Sequence, residues 1–193
     1  MKRILVACPM TREADMLRHL LGERDGLEVT ASGIGIKRTL PLLLRRLRED
    51  PPDLLVFTGS VTQLNPALSY RRVVLPGSWT LEPGGPTFQC SVVPGLILAE
   101  SVVPIGLALS ISRPVMRPQQ REQLFAETGA EVYDSVTAAV IRIAGTSQVP
   151  VVTPKIIANT VDSGLMTFWG QLELSITPLG DYLSAILERI HES

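Results

Sequence analysis

The chain has 193 residues and a formal charge of −1, with 18 Lys+Arg against 19 Asp+Glu. Apolar residues make up 45% of it, enough for a sizeable core, which excludes intrinsic disorder as the overall state. With no basic surplus to drive counterion release, a dedicated DNA- or RNA-binding protein is not expected.

The length suits one domain spanning residues 1–193. The two cysteines, Cys8 and Cys90, lie in apolar runs and are too few for a disulfide framework or a four-ligand zinc site. They point to a reduced, cytoplasmic setting. The apolar run at the N-terminus, Ile4 to Ala7, is too short for the core of a secretory signal. Val92 to Ile111 approaches membrane-spanning length, but Glu100 interrupts it and Pro94, Gly95, Pro104 and Gly106 break a continuous helix. Two buried strands are expected there, and no membrane association.

In chain order, Ile4–Ala7 reads as a first buried strand. Arg12 to Gly22 reads as a helix with Met16, Leu17, Leu20 and Leu21 near one face and Gly22 as its stop. Val29–Ala31 is a short strand that ends in Ser32-Gly33-Ile34-Gly35. The next helix turns Leu40, Leu43, Leu44 and Leu47 inward and Arg45, Arg46 and Arg48 toward water, with Pro41 expected in its first turn. Asp53 to Gly59 is a strand-to-loop transition. Val73 to Ser112 is strand-rich. Pro118 opens a polar helix to about Thr128, and Tyr133–Ala144 is expected to be helical with Val136, Ala139, Val140 and Ile143 buried. Val149–Ala158 reads as a strand, which Pro150 and Pro154 confine to an edge or a bulge. A last helix is expected from about Leu179 to His191. Strands alternating with helices around a strand-rich middle indicate an α/β layer fold.

Polar groups in such folds gather where strands end and helices begin. Four such places carry chemistry: Pro9 to Glu13, Ser32 to Lys37, Thr58-Gly59-Ser60, and Asn159 to Asp162. Ser32-Gly33-Ile34-Gly35 lacks the third glycine and downstream acid of a dinucleotide fingerprint, and no phosphate-binding P-loop pattern exists. Each position also has a plain structural role. Glu13 suits the first turn of a helix, Gly33 and Gly35 a tight turn, Ser60 and Asp134 a cap, and Asn159 a loop. His19 and His191 have no metal-ligand spacing partner, and Trp79 and Trp169 suit the core.

Taken in order, these stretches resemble the nucleoside phosphorylase and nucleosidase superfamily, especially methylthioadenosine/S-adenosylhomocysteine nucleosidase and futalosine hydrolase. The resemblance rests on Lys2 to Glu13 with Met16-Leu17-Arg18, Ser32 to Lys37, Phe57 to Ser60, Leu64 to Leu68, Val73 to Pro76, Glu131 to Ala139, and Val151 to Asp162. It implies a three-layer α/β fold with a mixed twisted sheet flanked by helices. It also implies cleavage of the N-glycosidic bond of a purine or modified nucleoside without metal or cofactor, in a homo-oligomer. Carried over residue by residue, Glu13 orients the attacking water and Asp134 holds the ribose hydroxyls. Asn159, or Asp162 in a shifted register, meets the leaving base, while Ser60, Gly33 and Gly35 shape the site.

The chain departs from the family pattern in three ways. Asn159 stands where the nucleosidases carry the aspartate that protonates the base, Asp134 replaces a glutamate, and Thr62-Gln63 replace a Gly-Gly pair. Phosphorolysis needs cations around a dianion, for which Arg12 and Lys37 are the candidates. Phe57 occupies the place of an arginine in the hexameric phosphorylases, and Glu13 suits water better than phosphate. Hydrolysis is therefore the expected reaction. The altered Asn159 also leaves open a nucleoside- or base-binding protein that no longer catalyses.

Overall fold

The computed structural model describes residues 2–91, 102–115, 117–160 and 165–192, with the side chains of the final helix described from 176 to 190. The element order is β1 (Ile4–Cys8), α1 (Thr11–Leu21), β2 (Leu27–Ala31), α2 (Ile36–Glu49), β3 (Leu54–Phe57), β4 (Ser60–Gln63), β5 (Val73–Leu81) and β6 (Thr87–Gln89). Then come β7 (Val102–Ser110), α3 (Pro118–Thr128), β8 (Val132–Asp134), α4 (Thr137–Thr146), β9 (Val151–Val152), β10 (Lys155–Asn159) and α5 (Leu165–Glu192).

β2, β1, β3 and β9 form a parallel sheet in that order. The other strands close on themselves. β10 pairs with β4, β4 with β8, β8 with β7, β7 with β5, and β5 returns to β10, while β6 hangs on β5 as a flap.

The two sheets meet at a seam that the chain crosses twice. β3 continues into β4 through Thr58-Gly59, and its neighbour β9 continues into β10 through Thr153-Pro154. The Thr58 hydroxyl donates to the Pro154 carbonyl at 2.8 Å, tying the two crossings together. Gly59 and Pro154 mark the seam, and the polar residues beside them, Thr58, Ser60 and Lys155, all take side-chain partners there.

β1 shows why the parallel sheet needs cover on both faces. Ile4, Val6 and Cys8 join one core cluster with α1 and α5, while Leu5 and Ala7 join another with α2 and α4. Both faces are apolar, and helices bury both.

The expected elements need five adjustments. The Asp53–Gly59 segment is the strand β3, followed after two residues by β4. Pro41 lies in the second turn of α2, at an exposed position where water can serve the carbonyl that its ring leaves unbonded. Residues 132–134 are strand β8, because they pair with β4 and β7, and the helix begins only at Thr137. Val149–Ala158 splits at Thr153-Pro154, with a register shift between Ile157 and Asn159. The last helix starts at Leu165, well before the expected Leu179, and runs through Pro178.

In the Val92–Ile111 run, residues 92–101 lie outside the described residues, and residues 102–110 are the strand β7. No helix among the described residues is long and apolar enough to cross a membrane.

Candidate active site

The first turn of α1 delivers Glu13 to the seam. As the third residue of that helix, Glu13 reaches back to accept the Met10 backbone N–H at 3.3 Å, one half of a capping box. Its side chain is nevertheless fully buried, and its other oxygen serves a different element. Oε1 accepts the Ser60 backbone N–H at 2.9 Å and the Ser60 hydroxyl at 2.6 Å. An ionised carboxylate has about four lone-pair sites. Oε1 is thus saturated, whereas Oε2 carries a single long bond. Burial pushes the Glu13 carboxyl above the usual carboxylate range, and the bonds from Ser60 pull it part of the way back.

The fit depends on Gly59. Its φ of +120° lies where side chains are strained, and a Cβ there would stand 3.1 Å from both Glu13 Oε2 and Pro9 Cδ.

Glu13 and Ser60 face a cavity of about 290 Å³, near the lower end of small-molecule pockets (roughly 300–1,000 Å³). Pro9, Met10, Ile34, Val61, Ile111, Pro114 and Val136 make much of its wall apolar. Thr62, Ser112, Tyr133, Asp134 and Ser135 add polar groups, and Arg113 stands at the exposed rim. Asp134 also caps α4. Its Oδ1 accepts from the Val136 and Thr137 N–H groups, each at 3.0 Å, and from the Ser110 hydroxyl at 2.8 Å. Its Oδ2 accepts from the Thr137 hydroxyl and lies 3.4 Å from Lys155 Nζ.

Lys155 is itself fully buried, its Nζ 4.4 Å from the centre of the Phe57 ring and 5.6 Å from that of Trp79. Burial pushes its ammonium below the ordinary lysine value, and the Asp134 carboxylate opposes that.

The structure therefore brings three of the sequence-derived residues, Glu13, Ser60 and Asp134, to one cavity. Gly33 (φ +88°) and Gly35 (φ +77°) form the turn into α2 and present Ile34 between them, 57% exposed, as part of the wall. Asn159 ends β10 and is buried; the register sets it against Thr62, which lines the cavity. Gln63 turns away instead, donating to the Leu68 carbonyl, so only Thr62 of the Gly-Gly replacement touches the space. Arg12 and Lys37 are exposed and line no part of the cavity, leaving Arg113 as its one cationic lining residue among those described. Asp162 and the side chains of Trp169 and His191 lie outside the described residues, and Trp79 is in the core. No cluster of three His, Cys, Asp or Glu able to hold a metal occurs among the described residues.

Sequence reasoning missed Lys155, Ser135 and Arg121. Lys155 sits in an apolar run, where a lone cation is the available signal. Arg121 lies on a helix read as polar, yet it is buried and donates to the carbonyls of Val115, at 3.1 Å, and Thr160, tying α3 to the end of β10.

No family model matches the chain, and no curated protein matches it. Solved structures do. Arabidopsis thaliana 5′-methylthioadenosine nucleosidase in its apo form superposes with a TM-score of 0.86 at 16% identity, over 100% of this chain and 97% of that one. A Helicobacter pylori methylthioadenosine nucleosidase variant with 5′-methylthioadenosine in its active site gives 0.84 at 16%, over 97% and 99%. The chain has the nucleosidase fold. A futalosine hydrolase variant from the same bacterium superposes on it at 0.83 and 16% identity, over 97% of this chain and 99% of that chain. Within this fold the first β–α turn, the β3–β4 crossing and the start of α4 converge on a single cavity, the one that Glu13 faces.

Proposed function

We propose that the protein hydrolyses the N-glycosidic bond of a purine or modified nucleoside, with residues 1–193 acting as one nucleosidase-like domain. One observation carries this reading: a fully buried carboxylate, Glu13, lines a largely apolar cavity with one oxygen fixed by two bonds from Ser60 and the other holding a single long bond from Met10. The shared fold with nucleosidases supports it.

In this mechanism Glu13 orients a water below the anomeric carbon and takes its proton as the water's oxygen bonds to that carbon. The carbon–nitrogen bond breaks through an oxocarbenium-like state, and its electron pair leaves with the base. A raised carboxyl pKa suits a base that works near neutral pH. Asp134 and its neighbour Ser135 form the ribose side, and Ile34 and Tyr133 supply apolar surface for the rings. Asn159, or Asp162, meets the base. Asn159 donates a hydrogen bond but no proton, so the base is protonated from solvent or by Asp162.

Phosphate is the less suited nucleophile, because Glu13 would repel it and neither Arg12 nor Lys37 lines the cavity. Both cysteines are free thiols, in keeping with a cytoplasmic setting. A homo-oligomer completes the proposal and is tested by light scattering on the eluting protein.

The deciding experiment is base release, followed by chromatography with and without phosphate. The substrates are adenosine, inosine, guanosine, methylthioadenosine, S-adenosylhomocysteine and futalosine. Release without phosphate that collapses in Glu13→Gln supports hydrolysis, whereas release only with phosphate overturns it. Thermal stabilisation by one compound without release supports a binding protein instead, the reading that Asn159 favours.

A further inference from the structure

We propose that Lys155 is a positioning residue of the candidate site, a brace that ties the Thr58–Ser60 crossing to the Asp134 turn beside the cavity.

The geometry is direct. From the first position of β10, Lys155 Nζ reaches the Thr58 carbonyl at 3.5 Å on one side and Asp134 Oδ2 at 3.4 Å on the other. Two residues beyond Thr58, Ser60 donates twice to Glu13. Asp134 gathers the first N–H groups of α4, and its neighbours Tyr133 and Ser135 line the same cavity as Ser60. A single buried amine thus reaches both elements that supply Ser60 and Asp134 to the cavity.

Core filling does not explain a lysine here. The next three residues of β10 are Ile156, Ile157 and Ala158, all buried and apolar. A buried ion pair is often no more stable than an apolar group of the same volume. What an apolar group cannot do is hold a carbonyl and a carboxylate at set distances. The titratable groups facing Lys155 are Asp134 from β8, Glu13 from α1 and Cys8 from β1, with Cys90 beyond β6. Those facing Glu13 are Lys155 and Cys8. Lys155 holds the Glu13 carboxyl lower than burial alone would leave it.

The kinetic arm of the test rests on the nucleosidase reading; the spectroscopic arm does not. In the ligand-free protein, the Glu13 carboxyl is titrated by carbon NMR in wild type, Lys155→Met and Lys155→Arg. In Lys155→Met its midpoint is expected to rise, and in Lys155→Arg to stay near wild type. On whichever nucleoside the wild type cleaves, kcat is expected to fall about 10- to 100-fold in Lys155→Met, with substantial recovery in Lys155→Arg. If Lys155→Met does not fold, the titration moves to Lys155→Met combined with Asp134→Asn, which leaves the lysine's carboxylate partner uncharged as well. A folded variant with wild-type Glu13 titration overturns the brace, and so does unchanged kcat. If the wild type cleaves nothing, the nucleosidase reading fails and the titration alone decides about Lys155.

Discussion

Ser60 donates twice to the same oxygen of Glu13, through its backbone N–H at 2.9 Å and its hydroxyl at 2.6 Å. Ser60→Ala keeps the backbone bond and removes the hydroxyl bond, so it separates holding the carboxylate from tuning it. Both bonds favour the ionised form, so losing one raises the Glu13 pKa further. A base must be ionised to work. The acid limb of the pH–rate profile is therefore expected to move to higher pH in Ser60→Ala, with a loss of about tenfold at neutral pH. A limb that stays in place would separate Glu13 from the rate.

The buried Glu13 charge also affects stability, with a definite sign. Its folded pKa is raised above the unfolded value, so the folded state favours the protonated carboxyl. The group favours folding at low pH, and this contribution is lost as pH rises through the folded pKa. Glu13→Gln carries no such charge. The melting temperature of Glu13→Gln minus that of wild type is expected to be larger at pH 8 than at pH 5, while activity is lost. A difference independent of pH would mean that the carboxyl is not destabilised by burial.

Gly59 gives a prediction from geometry alone. At φ +120° a side chain is strained, and a Cβ would press on Glu13 Oε2 and on Pro9. Backbone strain of this kind costs on the order of 1–3 kcal/mol. Gly59→Ala is expected to lose about that much in urea unfolding and to lose activity by more than the stability change explains, because the displaced atom is a carboxylate oxygen of Glu13. Wild-type kcat in Gly59→Ala would show that the oxygen has room to move.

Asp134 and Ser135 are adjacent but separable. Asp134 accepts from Ser110, Val136, Thr137 and Lys155, whereas the Ser135 hydroxyl has no partner among the described residues. Asp134→Ala leaves Lys155 buried without its carboxylate, a loss on the order of 3–5 kcal/mol. Ser135→Ala is expected to keep the melting temperature and raise KM several-fold. If Ser135→Ala leaves KM unchanged, the ribose side is assigned wrongly.

Much of this was legible in the sequence where a residue's local pattern and its tertiary role agree. Glu13 in a first helical turn, Gly33 and Gly35 before a helix, and the apolar faces of α1, α2 and α4 follow from spacing. The seam does not. Tyr133 looks helical by periodicity and is a strand because β4 and β7 offer it partners 71 and 24 residues away (Thr62 and Leu109 in the register). Lys155 has no local signal for its partner, since Asp134 lies on another element and meets it only after the strands close into a ring. Arg121 is likewise charged by composition and buried by the loops packed over it.

Asn159 offers the last test, because it carries the departure that bears most on rate. It ends β10, buried and in register with Thr62 on the cavity wall, where the family resemblance expects an acid. An amide donates a hydrogen bond to the leaving base but cannot transfer a proton. General acid catalysis contributes about 10²–10⁴-fold. Asn159→Asp is therefore expected to raise kcat at least tenfold on a purine nucleoside, with a new loss of activity at high pH as the added acid ionises. If the rate falls or the high-pH limb does not appear, the base is protonated by another group, and Asn159→Asp combined with Asp162→Asn identifies whether Asp162 is that group.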